Sequence, residues 1–209
     1  MQRKFNQRVI CLAVALGMVW SGAVFYGAQK DTATKQKTDT KKPKKTTPDV
    51  IFLPTPQPVV EKMLDLAKLK KGEMVYDLGC GDGRIVVTAA KRGAKAKGFD
   101  VDPKRIAESK ENVKKNKVEK NAQIIQEDIF ELDLKEADVI TLYLLPQLNV
   151  KLIPQLDKLR KGVRIVSHAF DMDGVKPDKV ETVDVDGSGY TIYLWTTPLK
   201  KEGDGKKTS

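Results

Sequence analysis

The densest chemistry in this sequence lies in Val75-Tyr76-Asp77-Leu78-Gly79-Cys80-Gly81-Asp82-Gly83-Arg84. An apolar stretch ends on an acid, and glycines follow at alternate positions, 79, 81 and 83. Glycine admits positive φ and lets a backbone come close to a ligand. A helix expected from Arg84 to Lys91 would aim its unpaired N–H groups at the same place. The dinucleotide fingerprint G-x-G-x-x-G sets its third glycine one residue later, where this chain has Arg84. Asp77 would repel a pyrophosphate and suits a cationic amine. Asp77, Gly79, Gly81 and Gly83 therefore read as a cradle for a small ligand with a positive amino end; the plainer alternative is a simple glycine turn. Asp100, in Gly98-Phe99-Asp100-Val101-Asp102-Pro103, ends the next apolar run and can accept from both hydroxyls of a ribose, or serve only as a cap. Asp102, just before Pro103, suits the N-cap of the following helix. Asp128 follows a third run in Gln126-Glu127-Asp128-Ile129-Phe130, where a solvated acid beside Glu127 and Glu131 is the other reading. Each acid alone says little; acids at the ends of three adjacent strands reinforce one another.

The elements that must position these groups follow from hydrophobic period. Strands are expected at 74–78, 94–100, 123–126, 138–144 and 163–167, with helices from Arg84, from Pro103 to about 116, and over 147–159. Such alternation implies a parallel sheet with helices on both faces. Val180–Asp186 and Tyr190–Thr197, separated by Gly187-Ser188-Gly189, predict a closing hairpin. The fold class is α/β: a Rossmann-like doubly wound sheet, mostly parallel, closed by a C-terminal antiparallel hairpin. Ahead of it, Ile51-Phe52-Leu53-Pro54-Thr55-Pro56 reads as extended, because residues before proline avoid the helical region. Thr55 is the expected N-cap of a helix that begins at Pro56 and ends at Lys71-Gly72.

The formal charge of +10 invites a nucleic-acid reading. Its distribution argues otherwise. Residues 1–28 carry +3, residues 29–48 carry +5 and residues 199–209 carry +2, so residues 49–198 are neutral. With two cysteines far apart and one histidine, no disulfide framework or zinc site is implied. Arg3, Lys4 and Arg8 precede an uncharged run, Val9 to Ala28, long enough to span a bilayer; Ser21-Gly22-Ala23 would also serve as a signal-cleavage site. Residues 29–48 are Lys- and Thr-rich and read as a disordered tether. The domain organisation expected is thus 1–28 as membrane anchor or signal segment, 29–48 as tether, 49–198 as the folded domain and 199–209 as a disordered tail. Seven lysines between Lys30 and Lys45 outweigh the three basic residues before the run. The positive-inside rule then sets the domain in the cytoplasm. A cleaved signal would instead export it.

The run from Asp77 to Gly83 resembles motif I of the class I (seven-strand) S-adenosylmethionine-dependent methyltransferases. The resemblance covers about residues 50–198. It implies S-adenosyl-L-methionine as cofactor, held by Thr55, Asp77, Gly79, Gly81, Gly83 and Asp100, with Asp128 on the adenine amino group and Ile129 against the ring. Leu142–Pro146 replaces the Asn/Asp-Pro-Pro-aromatic motif of many amino-methylating members. Together with Phe52–Pro56 and Val166-Ser167-His168, it is similar to the small membrane-associated protein lysine methyltransferases, and more distantly to the non-SET histone lysine methyltransferases. That implies a protein lysine as acceptor and a protein partner embedded in a membrane, with no specific nucleic acid. Other readings are small-molecule or nucleic-acid methylation, or a non-catalytic cofactor-binding module at the membrane. Phe52, Leu144, Leu145 and Pro146 would make an apolar mouth for the acceptor. Tyr143, or carbonyls near Pro146, would aim the amine. His168 would hydrogen-bond near the mouth beside Asp171 and Asp173, or act as general base.

Overall fold

Residues 53–203 are described by a computed structural model of the chain. The apolar run 9–28, the tether 29–48 and Phe52 lie outside the described residues.

Strand and helix alternate as the hydrophobic period does. Helix α1 (Gln57–Leu66) buries Val59, Val60, Met63 and Leu64 on one face. Strand β1 (Met74–Leu78) leads through the glycine turn into α2 (Arg84–Lys91). Strand β2 (Lys95–Asp100) leads into α3 (Pro103–Lys115), whose N-cap Asp102 accepts from Lys104 N at 2.8 Å, as expected of an Asp-Pro start. Then come β3 (Ala122–Gln126), β4 (Val139–Leu142), α4 (Pro146–Leu156), β5 (Arg164–His168) and the pair β6 (Lys179–Val185) and β7 (Ser188–Thr196).

The seven strands form one sheet in the order β3-β2-β1-β4-β5-β7-β6. The first five are parallel, and β7 pairs antiparallel with both β5 and β6. This is the expected α/β sheet. Successive strand residues face opposite sides, so Val75, Val139 and Val166 pack with α1–α3 residues such as Val60 and Val86. Tyr76, Ile140 and Ile165 join Leu152, Leu156 and Trp195 on the other side. Each fully buried aliphatic side chain contributes about 1.5–3 kcal/mol. Strand order reverses between β1 and β4, which opens a crevice beyond their carboxyl ends, the usual ligand position in such sheets.

Three local expectations need correction. Helix α1 ends at Leu66 rather than at 71–72, and Lys68 just beyond it takes φ 50°. The hairpin turns on Asp186-Gly187, both at positive φ (53° and 78°), not on 187–189, because a two-residue turn with that twist matches the strands. The domain also runs past 198: Leu199 is buried, Lys201 bridges to Val175, and Lys200 and Lys201 pair with Asp178 and Asp157.

Candidate active site

A cavity of about 740 Å³ opens at the carboxyl ends of β1, β2 and β4. Its two ends are built differently.

At the first end the chain supplies acids. Asp77 closes β1, is 2% exposed, and accepts from Thr141 Oγ1 at 2.7 Å across the β1–β4 register. Its other oxygen, Oδ2, is buried with no hydrogen-bond partner among the described residues. Burial pushes its carboxyl up to about 7; the Thr141 bond opposes the rise, and the Asp100 and Asp82 carboxylates add to it. A buried acid with an open lone pair and a raised pKa lacks a cation, and an amino group on the bound ligand would supply one. Asp100, half-buried at the end of β2, accepts from Gly81 N and Asp102 N, both at 3.0 Å. Burial pushes its carboxyl up against the pull of those N–H groups. The two bonds fix its orientation and leave acceptor capacity toward the cavity. Asp128 accepts from Phe130 N at 3.0 Å, and this short turn sets Ile129 and Phe130 on the wall. Gln155 of α4 ties the same loop down, donating to Ile129 O and Leu132 O.

The glycine turn packs too closely for side chains. Gly79 sits at φ 85°, and a Cβ there would lie 2.9 Å from Leu144 Cδ2. Gly83, at φ 77°, is the N-cap of α2, and a Cβ there would meet Ser109 Cβ at 2.8 Å.

The second end is apolar and aromatic. Tyr143, Leu144, Leu145 and Leu148 come from β4 and the start of α4, Phe170 from the loop after β5, and Leu53 and Pro54 from the lead-in. The Tyr143 and Phe170 rings lie 6.2 Å apart and nearly parallel, at 23°. Burial raises the Tyr143 phenol, and nearby Tyr190 adds to the effect. Phe170 is held by Asn149, a fully buried residue whose Nδ2 donates to Ser167 Oγ, Phe170 O and Asp171 O.

Of the residues expected to form the site, Thr55, Asp77, Gly79, Asp100, Asp128, Ile129, Tyr143, Leu144 and Leu145 line this cavity. Gly81 serves it through its N–H on Asp100, Gly83 faces Ser109 instead, and Pro146 opens α4 behind Leu145. Two placements overturn expectation. Thr55 caps nothing: Pro56 occupies the N-cap of α1, and the Thr55 hydroxyl is turned away to His168. His168 is 2% exposed and is not on the cavity wall, and its hydrogen bond goes to Thr55, which is on that wall. Burial lowers its imidazole to about 4. It stands behind Tyr143, ring centroids 4.0 Å apart.

Sequence reasoning missed Arg84, Asn149 and Phe170. Arg84 is gripped by Asp82 and donates from Nη1 to Thr55 O at 2.8 Å, joining the glycine turn to the lead-in. The arginine that replaces the usual glycine was its only signal. Nothing in the sequence pairs Asn149 with residue 170.

Comparison with known proteins agrees with this geometry. The family described as ANTKMT methyltransferase domain matches residues 77–179. A protein-lysine N-methyltransferase of Saccharolobus islandicus (strain REY15A) is 44% identical over 151 residues, covering 71% of this chain and 94% of that protein. The adenine nucleotide translocase lysine N-methyltransferase of Mus musculus is 28% identical over 159 residues, covering 71% of this chain and 69% of that protein. Against other mammalian lysine N-methyltransferases that it resembles, the chain spans only 58% to 61% of their length. A crystal structure of an RNA methyltransferase from Salinibacter ruber in complex with S-adenosyl-L-homocysteine superposes with a TM-score of 0.66 at 44% identity, covering 73% of this chain and 98% of that one. The unpartnered Asp77 oxygen, the fixed Asp100 and the Ile129 wall fit the amino, ribose and adenine parts of that cofactor. The chain therefore belongs to the class I S-adenosylmethionine-dependent methyltransferases, among relatives named as protein-lysine N-methyltransferases.

Proposed function

We propose that this enzyme methylates a lysine side chain of a protein, and that its N-terminal apolar run tethers it to a membrane with residues 49–198 on the cytoplasmic side. The observation that carries the acceptor reading is the second end of the cavity, where the described wall residues are Leu53, Pro54, Thr55, Tyr143, Leu144, Leu145, Leu148 and Phe170, none of them a carboxylate or imidazole. A free lysine has a pKa near 10.4, so roughly 0.04% is neutral at pH 7. An apolar wall disfavours the ammonium form and releases its proton to solvent before transfer. Bound S-adenosylmethionine supplies an activated methyl on a sulfonium: the S–C bond breaks as the N–C bond forms. Tyr143, or the carbonyls before Pro146, aims the nitrogen lone pair. The protein's share is orientation and exclusion of water. The names of the curated relatives support a protein acceptor.

Nucleic acid is the second reading, favoured by the description of the Salinibacter ruber structure. The cationic residues that line the cavity, Arg84, Lys104 and Arg105, speak less for it. Arg84 is paired with Asp82 and Arg105 with Glu108. Residues 49–198 carry no net charge. Incubating the full chain with donor labelled in its methyl group, a membrane extract and total RNA separates the readings. Label recovered as methyl-lysine after acid hydrolysis supports the first; label confined to RNA overturns it. Among the described residues no helix is long and apolar enough to cross a membrane, so the tether rests on residues 9–28. Protease added outside intact spheroplasts should spare the domain; its digestion would favour export.

A further inference from the structure

The lead-in that forms part of the acceptor wall has few means of holding itself in place. Pro54 and Pro56 have no N–H, and Leu53 and Thr55, each preceding a proline, are kept extended. Leu53 is 64% exposed although it lines the cavity. Thr55 is the one buried residue of this strap and is anchored on two sides. Its carbonyl accepts from Arg84 Nη1 at 2.8 Å, on the cofactor turn. Its hydroxyl lies 3.1 Å from His168 Nδ1, in a hydrogen bond whose direction follows the imidazole tautomer. The His168 ring is packed in turn between Tyr143, at 4.0 Å, and Tyr190, at 5.7 Å. A continuous chain of contacts thus runs from the glycine turn through Arg84, Thr55 and His168 to the back of Tyr143.

We propose that Thr55 and His168 form a clip that fixes the 53–56 strap and Tyr143 against each other, making both of them positioning residues for the methyl acceptor. The clip rests on the methyl-transfer reading but not on the acceptor being a lysine. A wall of two proline-flanked residues on one side and a phenol on the other keeps its spacing only if something ties the two together. The hydrogen bond between residues 55 and 168, with the His168 ring against Tyr143, joins them. The neutral imidazole suits this task, since it can pair with a hydroxyl in either tautomer without bringing a charge to the apolar end.

The chain has a single histidine, so the imidazole ¹⁵N signals of the untagged full-length protein belong to His168 without further assignment. Thr55→Val keeps the shape of the side chain and removes the hydroxyl. It should move the Nδ1 signal, and it should lower kcat/KM for the acceptor labelled by the wild-type enzyme about tenfold, while S-adenosylhomocysteine affinity stays within about threefold, as expected for one net hydrogen bond. Thr55→Ser should return the signal and most of the activity. With His168→Asn, whose amide retains hydrogen-bonding capacity in a smaller volume, adding Thr55→Val should cost less than about twofold further, because two members of one contact are not additive. An Nδ1 signal unmoved by Thr55→Val would overturn the clip. So would unchanged acceptor kinetics despite a moved signal, a loss that follows cofactor affinity instead, or effects of the two substitutions that multiply. A wild-type enzyme that labels RNA and no protein would remove the lysine reading and leave the clip to be judged on RNA kinetics and on the Nδ1 signal.

Discussion

The two ends of the cavity solve opposite electrostatic problems. At the cofactor end, Asp77, Asp100 and Asp128 converge from the tips of three adjacent strands. Burial there raises the carboxyls of Asp77 and Asp100, so the end is poised to gain from a cation. At the acceptor end, burial keeps the one imidazole neutral and leaves aromatic and aliphatic side chains on the wall. One end is built to receive a charge and the other to strip one away. Methyl transfer from S-adenosylmethionine to an amine uses both, because the donor is held through its amino and ribose groups while the acceptor must give up a proton.

Substitutions at the first end should therefore act on cofactor affinity. Asp77→Asn removes the charge meant for the amino group and should weaken S-adenosylhomocysteine binding by about 3–5 kcal/mol, the cost of leaving one member of a buried pair alone. Asp100→Ala should cost about 1.5–3 kcal/mol, for charged hydrogen bonds to hydroxyls. Calorimetry decides both, and NAD should show no binding. Affinity unchanged in either variant would end the assignment of that end to the cofactor.

Gly79 is where the two ends touch, since a Cβ there meets Leu144. Gly79→Ala should cost roughly 1–3 kcal/mol through backbone strain at positive φ, read as a lower denaturation midpoint. It should also displace Leu144 and so reduce both cofactor affinity and turnover. A variant that loses only one of the two would show the ends to be independent.

Tyr143→Phe addresses the second end alone. Turnover should fall about tenfold, the loss of one aiming hydrogen bond, with cofactor affinity unchanged. Unchanged turnover would reduce Tyr143 to a packing residue beside Phe170 and His168 and leave aiming to the carbonyls before Pro146.

The same contrast explains what could be read from the sequence. The cofactor end is local chemistry: each acid ends or closely follows its own apolar run, and the glycines lie within five residues of each other, so residue type and spacing mark them as one set. The acceptor end is assembled from 53–55, 143–148 and 168–170, joined by contacts such as Thr55–His168 across 113 residues. No period or motif marks such a pairing. Thr55 before a proline-started helix has the local look of an N-cap, and only the tertiary partner redirects its hydroxyl. The alternation of strand and helix was legible because the period change from 2 to 3.6 recurs regularly. The hairpin turn slipped because Gly187-Ser188-Gly189 is richer in glycine than Asp186-Gly187, while the positive φ values fall on the latter.

The smallest expected effect is the dependence of stability on pH, because the two ends pull in opposite directions. Asp77 has a folded value of about 7, above its unfolded value near 3.9. Its contribution is fully present below about pH 4 and is lost as pH rises through about 7. His168 has a folded value of about 4, below its unfolded value near 6.5. Its contribution is fully present above about pH 6.5 and is lost as pH falls through about 4. Between these limits the unliganded protein gains from one group what it loses from the other, so its profile should be flat relative to either variant. Asp77→Asn should leave a stability that rises from pH 4 to 6.5, and His168→Asn one that falls from pH 4 to 7. Bound cofactor, by setting an ammonium against Asp77, should abolish the fall and give the wild type the rising profile of Asp77→Asn. Urea midpoints for the three proteins across this range, with and without S-adenosylhomocysteine, test the whole scheme. Parallel profiles for wild type and Asp77→Asn without ligand would mean that Asp77 finds a cation within the protein itself, and the contrast between the two ends would fail.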